Sequence, residues 1–270
     1  MGKILSNNQI NQNNVSSITH TESGGTITEL TDIENIIDRS VVNDYQFTFT
    51  SIFNTKTLTI NLSNSVDIDG VAVMGMKTDG DINSIGLFSG GTLLSNCTEI
   101  TRQTRTVEGK VVDDFIWSAN SDVGGLCNRI VITWVNENTG TGYIGNVFAG
   151  KSLYDFCVKP TVNYNPEVSG TKERTEGGQV IGTHNGSYRV VTFQSIALPS
   201  TFFTSKLNNL NSDSGVSLPL VFVPLETDQL LLYGTQKKPF SLKTVIAKGE
   251  DDNQEIKWLQ EASFTIEEEF

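Results

Sequence analysis

Short runs in which apolar and polar residues alternate constrain the fold of this chain more than any other feature. In Tyr45–Phe49 and Thr57–Leu62, the aromatic and aliphatic residues occupy every second position. Successive side chains of a β-strand point to opposite faces, so a period of two is typical of half-buried antiparallel strands. Turn-forming clusters separate the runs, for example at 78–81 and 136–140. The pattern predicts an all-β fold.

The first strand set is predicted to form one domain over residues 40–155. Its further strands are predicted at Val71–Met76, Ser84–Phe88, Asp114–Trp117 and Arg129–Trp134. Short strands at regular spacing are typical of a sandwich or a barrel. We therefore predict a jelly-roll-like β-sandwich, with Trp117 and Trp134 in its core because both fall on the apolar phase of their strands.

The alternation is lost between residues 156 and 187, where Pro160, Pro166 and several glycines occur. This composition predicts a Gly-rich linker or loop between two domains. Alternation resumes at Tyr188, so residues 188–270 are predicted to form a second, smaller β-domain. Its one expected helix is Ser200–Leu210, in which Phe203, Leu207 and Leu210 share helical spacing.

Residues 1–39 are rich in Asn, Gln, Ser and Thr and contain only scattered apolar residues. Such a segment cannot bury enough apolar surface to order itself. We predict an extended polar arm that a neighbouring subunit holds in place. Within it, Thr31 or Asp32 could cap one or two helical turns that carry Ile33, Ile36 and Ile37 on one face.

The charge of the chain argues against nucleic acid as a partner. The formal net charge is −12 at pH 7, and an acidic surface repels phosphate backbones. Two small basic groups are expected in solvated connections: Arg102, Arg105 and Lys110, and Lys172 and Arg174. No run reaches the roughly 18 apolar residues of a membrane span, and the N-terminus lacks the apolar region of a secretion signal. No membrane partner is predicted, and assembly in a cytosol is expected.

The three cysteines, Cys97, Cys127 and Cys157, are predicted to be buried free thiols. An odd number argues against a disulfide framework, and their spacing is too wide for a zinc site.

No residue pattern nominates an active site. The chain has two histidines, and both His20 in the arm and His184 in the Gly-rich segment are expected to be exposed. Nucleophile-elbow, zinc-protease and phosphate-loop motifs are missing. The chain is therefore predicted not to be an enzyme, with no catalytic, cofactor-binding or metal-binding residues and no cofactor.

Pairs of carboxylates leave two alternatives open. Asp113 and Asp114 are adjacent and should point to opposite faces of a strand, whereas Asp67 and Asp69 share a face. A glycosidase dyad needs two facing carboxylates, and Asp67 and Asp69 are otherwise a polar turn. Together with Asp79 and Asp81 they could also bind calcium, although the twelve-residue loop with its terminal Glu is missing.

Residues 40–155 also resemble a known family. The segments Leu58–Ser63, Val66–Gly75, Ile130–Trp134 and Gly142–Gly150 resemble a discoidin-type or galactose-binding-type jelly roll. That resemblance implies a possible carbohydrate site, with exposed aromatic residues in the loops at 89–95 or 136–143.

Residues 140–270 resemble uncharacterised virion structural proteins of tailed bacteriophages. The resemblance is carried by Gly142–Gly150, the Gly-rich segment, Leu220–Pro224, Leu231–Gly234 and the terminal Phe264–Glu269. It implies a structural component of the tail, collar or baseplate region, assembled in the host cytoplasm into the virion. The implied partners are further copies in a ring-like homo-oligomer and other virion proteins. The alternative is a carbohydrate-binding module that recognises a host surface glycan.

Overall fold

The computed structural model describes residues 2–37, 44–51, 53–77, 80–107, 110–119, 126–135, 139–174, 180–196, 198–224, 231–248 and 256–268. Strands account for 70% of the structure and form several antiparallel sheets, which confirms the predicted all-β, sandwich-like fold. The chain divides into two compact units, Met1–Phe156 with Pro219–Tyr233 and Cys157–Leu218 with Gly234–Phe270.

The first sheet of unit 1 consists of six strands: β1 (Gly2–Asn8), β6 (Gly70–Met76), β9 (Thr98–Val107), β10 (Lys110–Ser118), β13 (Asn146–Phe156) and β17 (Leu220–Val223). Their order across the sheet is β17-β1-β13-β6-β10-β9.

Two smaller sheets complete unit 1. Their strands are β2 (Val15–Glu22), β3 (Ile27–Glu29), β4 (Tyr45–Phe49), β5 (Thr55–Val66), β7 (Ile82–Ser89), β8 (Thr92–Asn96), β11 (Cys127–Val135) and β12 (Gly140–Ile144). The second sheet has the order β2-β5-β11-β7-β8, and the third has the order β12-β4-β3. A 3-10 helix at Ile33–Ile37 lies within the segment where a short helix is predicted, and it buries Ile36 and Ile37.

One apolar core joins the three sheets of unit 1. The alternating residues of β5, β11 and β4 meet those of β6, β10 and β13 in a single cluster. The cluster includes Leu58, Ile60, Ile132, Trp134, Phe47, Val73, Phe115 and Val147. Trp134 is fully buried and Trp117 is 7% exposed, so their predicted core positions are confirmed.

The opposite face of the first sheet carries a second apolar cluster. Ala72, Met74, Ile116 and Phe148 pack there against residues of the 219–233 segment, including Val221 and Tyr233. Strand β6 is consequently buried at every position. A strand covered on both faces is expected to be apolar throughout, and β6 reads Gly-Val-Ala-Val-Met-Gly-Met.

Unit 2 contains the strands β14 (Val158–Arg174), β15 (Val180–Ser195), β16 (Leu198–Pro199), β18 (Leu232–Gln236), β19 (Ser241–Lys248) and β20 (Ile256–Glu268). Strand β20 is central and pairs with β15, β16, β18 and β19. Strand β18 enters unit 2 at Gly234. Phe193 stacks on Phe264 at 4.5 Å between ring centroids, and Phe240 meets the same ring edge-on.

The predicted helix of the second half is present as α1, Ser200–Asp213. It buries Leu207 and Leu210. Gly215 follows with a φ of 53°, and its N–H bonds to the carbonyl of Asn211. A left-handed glycine just past the last turn is a common way to end a helix. Among the described residues, no helix is both long and apolar enough to cross a membrane.

The N-terminal segment differs from the predicted polar arm, because it contributes β1, β2 and β3 to the sheets of unit 1. Strand β1 pairs with β13 on one side and β17 on the other, and Ile4 and Leu5 are fully buried. These neighbours come from positions far along the chain, and they supply the burial that the segment cannot provide alone.

Two predicted connections are also strands. Arg102 and Arg105 lie on β9 at the edge of the first sheet, and residues 156–187 form most of a hairpin rather than a linker. Edge strands tolerate charged residues and proline because one side of the backbone is not paired. For this reason both segments lack the apolar alternation by which the other strands are detected.

Candidate functional site

The hairpin of β14 and β15 is the most distinctive feature of unit 2. Its strands pair from Val158–Ser195 at one end to Arg174–Val180 at the other. Strand β15 also pairs with β20, but only over Val190–Gln194. Beyond that point, in the part of the chain that the structure describes, the hairpin continues as two strands alone, for roughly 25 Å at about 3.3 Å per residue. We call the part formed by residues 167–174 and 180–188 the distal ribbon.

Ion pairs fix the base of the distal ribbon to the sheet. Lys237 binds both carboxylate oxygens of Glu167 at 2.8 and 2.9 Å. On the neighbouring strand, Arg189 forms a two-pronged pair with Glu268, in which Nε donates to Oε2 at 2.6 Å and Nη2 donates to Oε1. The Glu268 side chain is 4% exposed. Paired forks of this kind hold a fixed geometry, so the ribbon leaves the sheet at a defined place.

The outer edge of β14 changes character along its length. Pro160 and Pro166 lie in its first half, and proline has no N–H to offer to a neighbouring strand. From Glu167 to Arg174 the strand contains no proline. The irregularity in the ribbon lies on β15, since Ser169 pairs with Gly186 and Gly170 with His184, which leaves Asn185 as the extra residue. The regular, proline-free edge is therefore the distal part of β14.

The charges of the ribbon differ from those of the whole chain. Within the distal ribbon, Lys172 and Arg174 balance Glu167 and Glu173, whereas the chain carries a net charge of −12. Like charge over most of the surface keeps copies apart. The distal ribbon is thus a region where that repulsion is weak.

A second candidate surrounds Tyr143 in unit 1. The tyrosine is half-buried on β12, and the amines of Lys110 and Lys77 lie 4.4 and 5.9 Å from its ring centre. Lys110 also donates to Asp44 at 2.8 Å, and Gln46 donates to the other oxygen of that carboxylate at 2.9 Å. An aromatic ring beside a carboxylate and an amide is the kind of surface that can bind a sugar, but Lys110 covers part of the ring.

The other predicted sugar-binding loop, at residues 89–95, lacks the aromatic side chains that the prediction requires. Residues 89–95 comprise the end of β7, the turn at 90–91 and most of β8, and they contain no aromatic residue. Residues 136–138 lie outside the described part of the chain. A groove of about 520 Å³ runs beside β2 and the 3-10 helix. Its described lining residues include Ser16, Ser17 and Glu34, and none of them is aromatic.

His20 is part of the core region rather than an exposed loop, contrary to the prediction. Its ring lies 4.4 Å from that of Phe47 and 5.1 Å from that of Trp134. Burial, aided by the charge of Lys56, lowers the pKa of His20 to about 3. The imidazole is therefore neutral at physiological pH. Its Nδ1 lies 3.1 Å from the Tyr45 hydroxyl, and Nε2 has no hydrogen-bond partner among the described residues. For His184 the structure describes the backbone, which lies in β15.

A buried ion pair lies close to His20. The side chains of Lys56 and Glu22 are both fully buried, with Nζ and Oε1 3.0 Å apart. Lys56 also donates to the carbonyls of Ser51 and Asn54 at 2.7 and 3.0 Å. Sequence reasoning missed this pair, because a lysine on an alternating strand is normally exposed. Through these hydrogen bonds Lys56 holds the loop that contains Ser51 and Asn54 against the core.

Asp114 also has a structural partner. It accepts the N–H of Gly75 at 2.6 Å and is paired with Arg105. Gly75 has a φ of 65°, and the β6–β10 register shifts beside it, so the buried carboxylate stabilises a bulge. Asp113 is instead bound by the Thr104 hydroxyl. The two acids thus point to opposite faces, as the strand geometry predicts.

The remaining carboxylates do not converge. Asp67 and Asp69 are exposed residues, although partial burial of the Asp69 carboxylate raises its pKa. Asp81 pairs with Arg102. Asp79 lies outside the described residues. Within the described ranges, no three His, Cys, Asp or Glu side chains lie close enough to hold a metal ion.

The thiols agree with the prediction for Cys97 and Cys127, which are buried and free, while Cys157 is half-buried and free. Burial raises the pKa of Cys97 to about 12, which keeps this thiol protonated and unreactive.

No protein-family model, curated protein or solved structure matches this chain. The resemblances to discoidin-type jelly rolls and to virion proteins of tailed phages therefore stay predictions.

Proposed function

We propose that this chain is a non-enzymatic structural subunit of a tailed-phage virion that acts through protein–protein assembly. The observation that carries the proposal is the distal ribbon. An isolated two-stranded hairpin is marginally stable in water, and this one pairs with no third strand among the described residues. A ribbon of this length is well suited to reach a neighbouring subunit.

The buried polar groups support the same interpretation. Lys56 with Glu22 and Asp114 with Arg105 are each engaged in holding loops or a bulge. These side chains stabilise the fold, which is consistent with a structural subunit. The phage assignment and the position in the tail, collar or baseplate region derive from the sequence resemblance of residues 140–270.

The proposal is tested by quantitative mass spectrometry of purified particles from a phage whose genome encodes this chain. We expect a fixed copy number in every particle, within a ring-like homo-oligomer in contact with other virion proteins. Absence of the chain from purified particles would overturn the proposal.

The alternative function is a carbohydrate-binding module for a host surface glycan, and the cluster of Tyr143, Asp44 and Gln46 is the observation that favours it. A glycan array with the intact protein and with Tyr143→Ala tests this function. Binding that is lost in the variant would support it, and no binding by the intact protein would exclude the glycans on the array.

A further inference from the structure

We infer that copies of this chain associate head to tail, with the exposed Phe53 of one copy docked in the groove beside β2 of the next. The inference rests on the proposed function and names the partner and the contact. It uses residues of unit 1 rather than the distal ribbon.

Phe53 is an unusual residue for the turn between β4 and β5. Its φ is 58°, a left-handed conformation that Gly or Asn adopts at lower cost than a bulky side chain. The side chain is also 68% exposed, so little of the ring is buried in the core. Neither the turn nor the core accounts for a phenylalanine at this position. Aromatic side chains are enriched among the residues that dominate protein–protein contacts.

Lys56 holds the turn that presents Phe53. Its amine donates to the carbonyls of Ser51 and Asn54 at 2.7 and 3.0 Å, on either side of the phenylalanine. Lys56 is fully buried and paired with Glu22. The phenyl ring is therefore presented from a backbone that is already held in place, which lowers the conformational entropy lost on binding.

The groove beside β2 is a complementary site in the same unit. Its volume is about 520 Å³, and four aliphatic side chains contribute to its lining: Val15, Ile18, Ile33 and Ile37. The first three are half-buried, so part of their apolar surface is open to the groove. A concave site with apolar side chains suits the ring of a phenylalanine.

The positions of the two features favour a second copy as the partner. The groove lies beside the start of β2, at 15–18. Strand β2 ends at Glu22, which pairs with Lys56 beneath the turn of Phe53. The two features are thus separated by the length of β2, roughly 25 Å for eight residues. Complementary surfaces at two separate places on one subunit join copies head to tail, and such contacts form a ring when the rotation closes.

Charge also favours contact at these two surfaces. The net charge of −12 makes copies repel one another over most of the surface. Ser51 and Asn54 beside Phe53 carry no charge, and Glu34 is the one charged residue in the described lining of the groove. The contact therefore brings few like charges together.

Two variants each remove one half of the contact. Phe53→Asn deletes the ring and keeps a residue that accepts a positive φ, whereas Ser17→Arg places a long, charged side chain in the groove. Self-association of the full chain would be measured by sedimentation equilibrium at about 1–100 µM. Each variant should raise the dissociation constant by roughly tenfold or more, as the loss of a dominant contact residue does.

Matched controls come from β8, which forms the opposite edge of the same sheet. Leu93 is 45% exposed, and Leu93→Asn removes an exposed apolar side chain away from the turn of Phe53. Thr92 is exposed on the same strand, and Thr92→Arg makes the same change in net charge as Ser17→Arg. Both controls should keep the dissociation constant within about threefold of the wild type. Thermal unfolding would verify the fold of all four variants.

A mixture of the two contact variants tests the head-to-tail geometry. Phe53→Asn keeps the groove and Ser17→Arg keeps the ring, so one of each can form a single intact contact. The mixture should contain a one-to-one dimer at concentrations where neither variant associates alone. Sedimentation velocity of each variant and of the mixture would detect it.

Every outcome separates the inference from its alternatives. Weakening by both contact variants, unchanged controls and a dimer in the mixture would support the inference. A wild type that associates while the mixture does not, or self-association that Phe53→Asn leaves unchanged, would overturn it. A chain that is monomeric at 100 µM but present at a fixed copy number in particles would also overturn it, and would leave the proposed function standing with another virion protein as the partner. A chain that forms this contact but is absent from particles would overturn the proposed function alone.

Discussion

At the scale of single residues, the buried ionisable side chains of unit 1 form contacts that stabilise its fold. Lys56 and Glu22 form a fully buried ion pair, and His20 is packed among aromatic rings next to it. The sequence predicted the aromatic core from alternation, but it could not predict these contacts. Their partners come from strands that are adjacent in space and distant in sequence.

The buried pair predicts strong energetic coupling. Lys56→Met leaves the Glu22 carboxylate buried without its counter-ion, and we expect a loss of about 3–5 kcal/mol in the free energy of unfolding. The double variant Lys56→Met/Glu22→Gln removes both charges and should be more stable than Lys56→Met alone. Urea denaturation of the wild type, Lys56→Met, Glu22→Gln and the double variant measures the coupling energy between the two side chains. Additive effects of the two substitutions would contradict the assignment.

His20 predicts a specific dependence of stability on pH. Burial lowers its pKa in the folded protein to about 3, while the unfolded value is about 6.5. Between these values the unfolded state binds a proton that the folded state does not. The stabilisation is therefore complete above pH 6.5 and decreases by about 1.4 kcal/mol for each pH unit below it.

The variant His20→Asn isolates this effect, because asparagine can keep the bond to the Tyr45 hydroxyl but does not titrate. The free energy of unfolding, measured between pH 5 and 6.5, should depend less steeply on pH in the variant than in the wild type. Equal slopes would show that His20 is accessible to protons in the folded state.

At the scale of strands and helices, alternation predicts the strands that have one apolar and one hydrated face, such as β4, β5 and β11. It fails for the elements whose partners are distant or whose faces are both polar. Strand β1 has too few apolar residues to be detected, and β14 contains two prolines. The sequence of the distal ribbon contains one indication of strand structure, namely several residues that favour strands: Val168, Thr171, Val180, Ile181 and Thr183.

The 219–233 segment also illustrates this limit. The sequence placed it in the second domain because it follows the helix, yet it packs in the second apolar cluster of unit 1. The apolar character of β17 can be predicted from its own residues. The unit against which β17 packs cannot be predicted from them, because the covering residues lie elsewhere in the chain.

This assignment predicts different effects for two valines that lie close together in sequence. Val221 is fully buried and Val216 is 49% exposed. Val221→Ala should lower the free energy of unfolding by roughly 2 kcal/mol and increase hydrogen exchange in β1, which pairs with β17. Val216→Ala should change stability by less than about 0.5 kcal/mol. Unchanged exchange in β1 of Val221→Ala would contradict the placement of β17 in unit 1.

At the scale of the whole molecule, each unit has its own apolar core, and the distal ribbon of unit 2 extends beyond its sheet. Composition and alternation were sufficient to predict an all-β protein. They were not sufficient to predict the distal ribbon, our proposed site of assembly, because a strand pair without a core beneath it carries no apolar period. The ribbon appears only when the backbone pairing is known.

The most direct test of the account is a cryo-EM map of an intact phage particle whose genome encodes this chain. The account predicts a closed, symmetric set of copies in the tail, collar or baseplate region, with density for a neighbouring subunit against residues 167–174 and 180–188 of each copy. A map that contains the chain with these residues exposed to solvent in every copy, or particles that lack the chain, would contradict it.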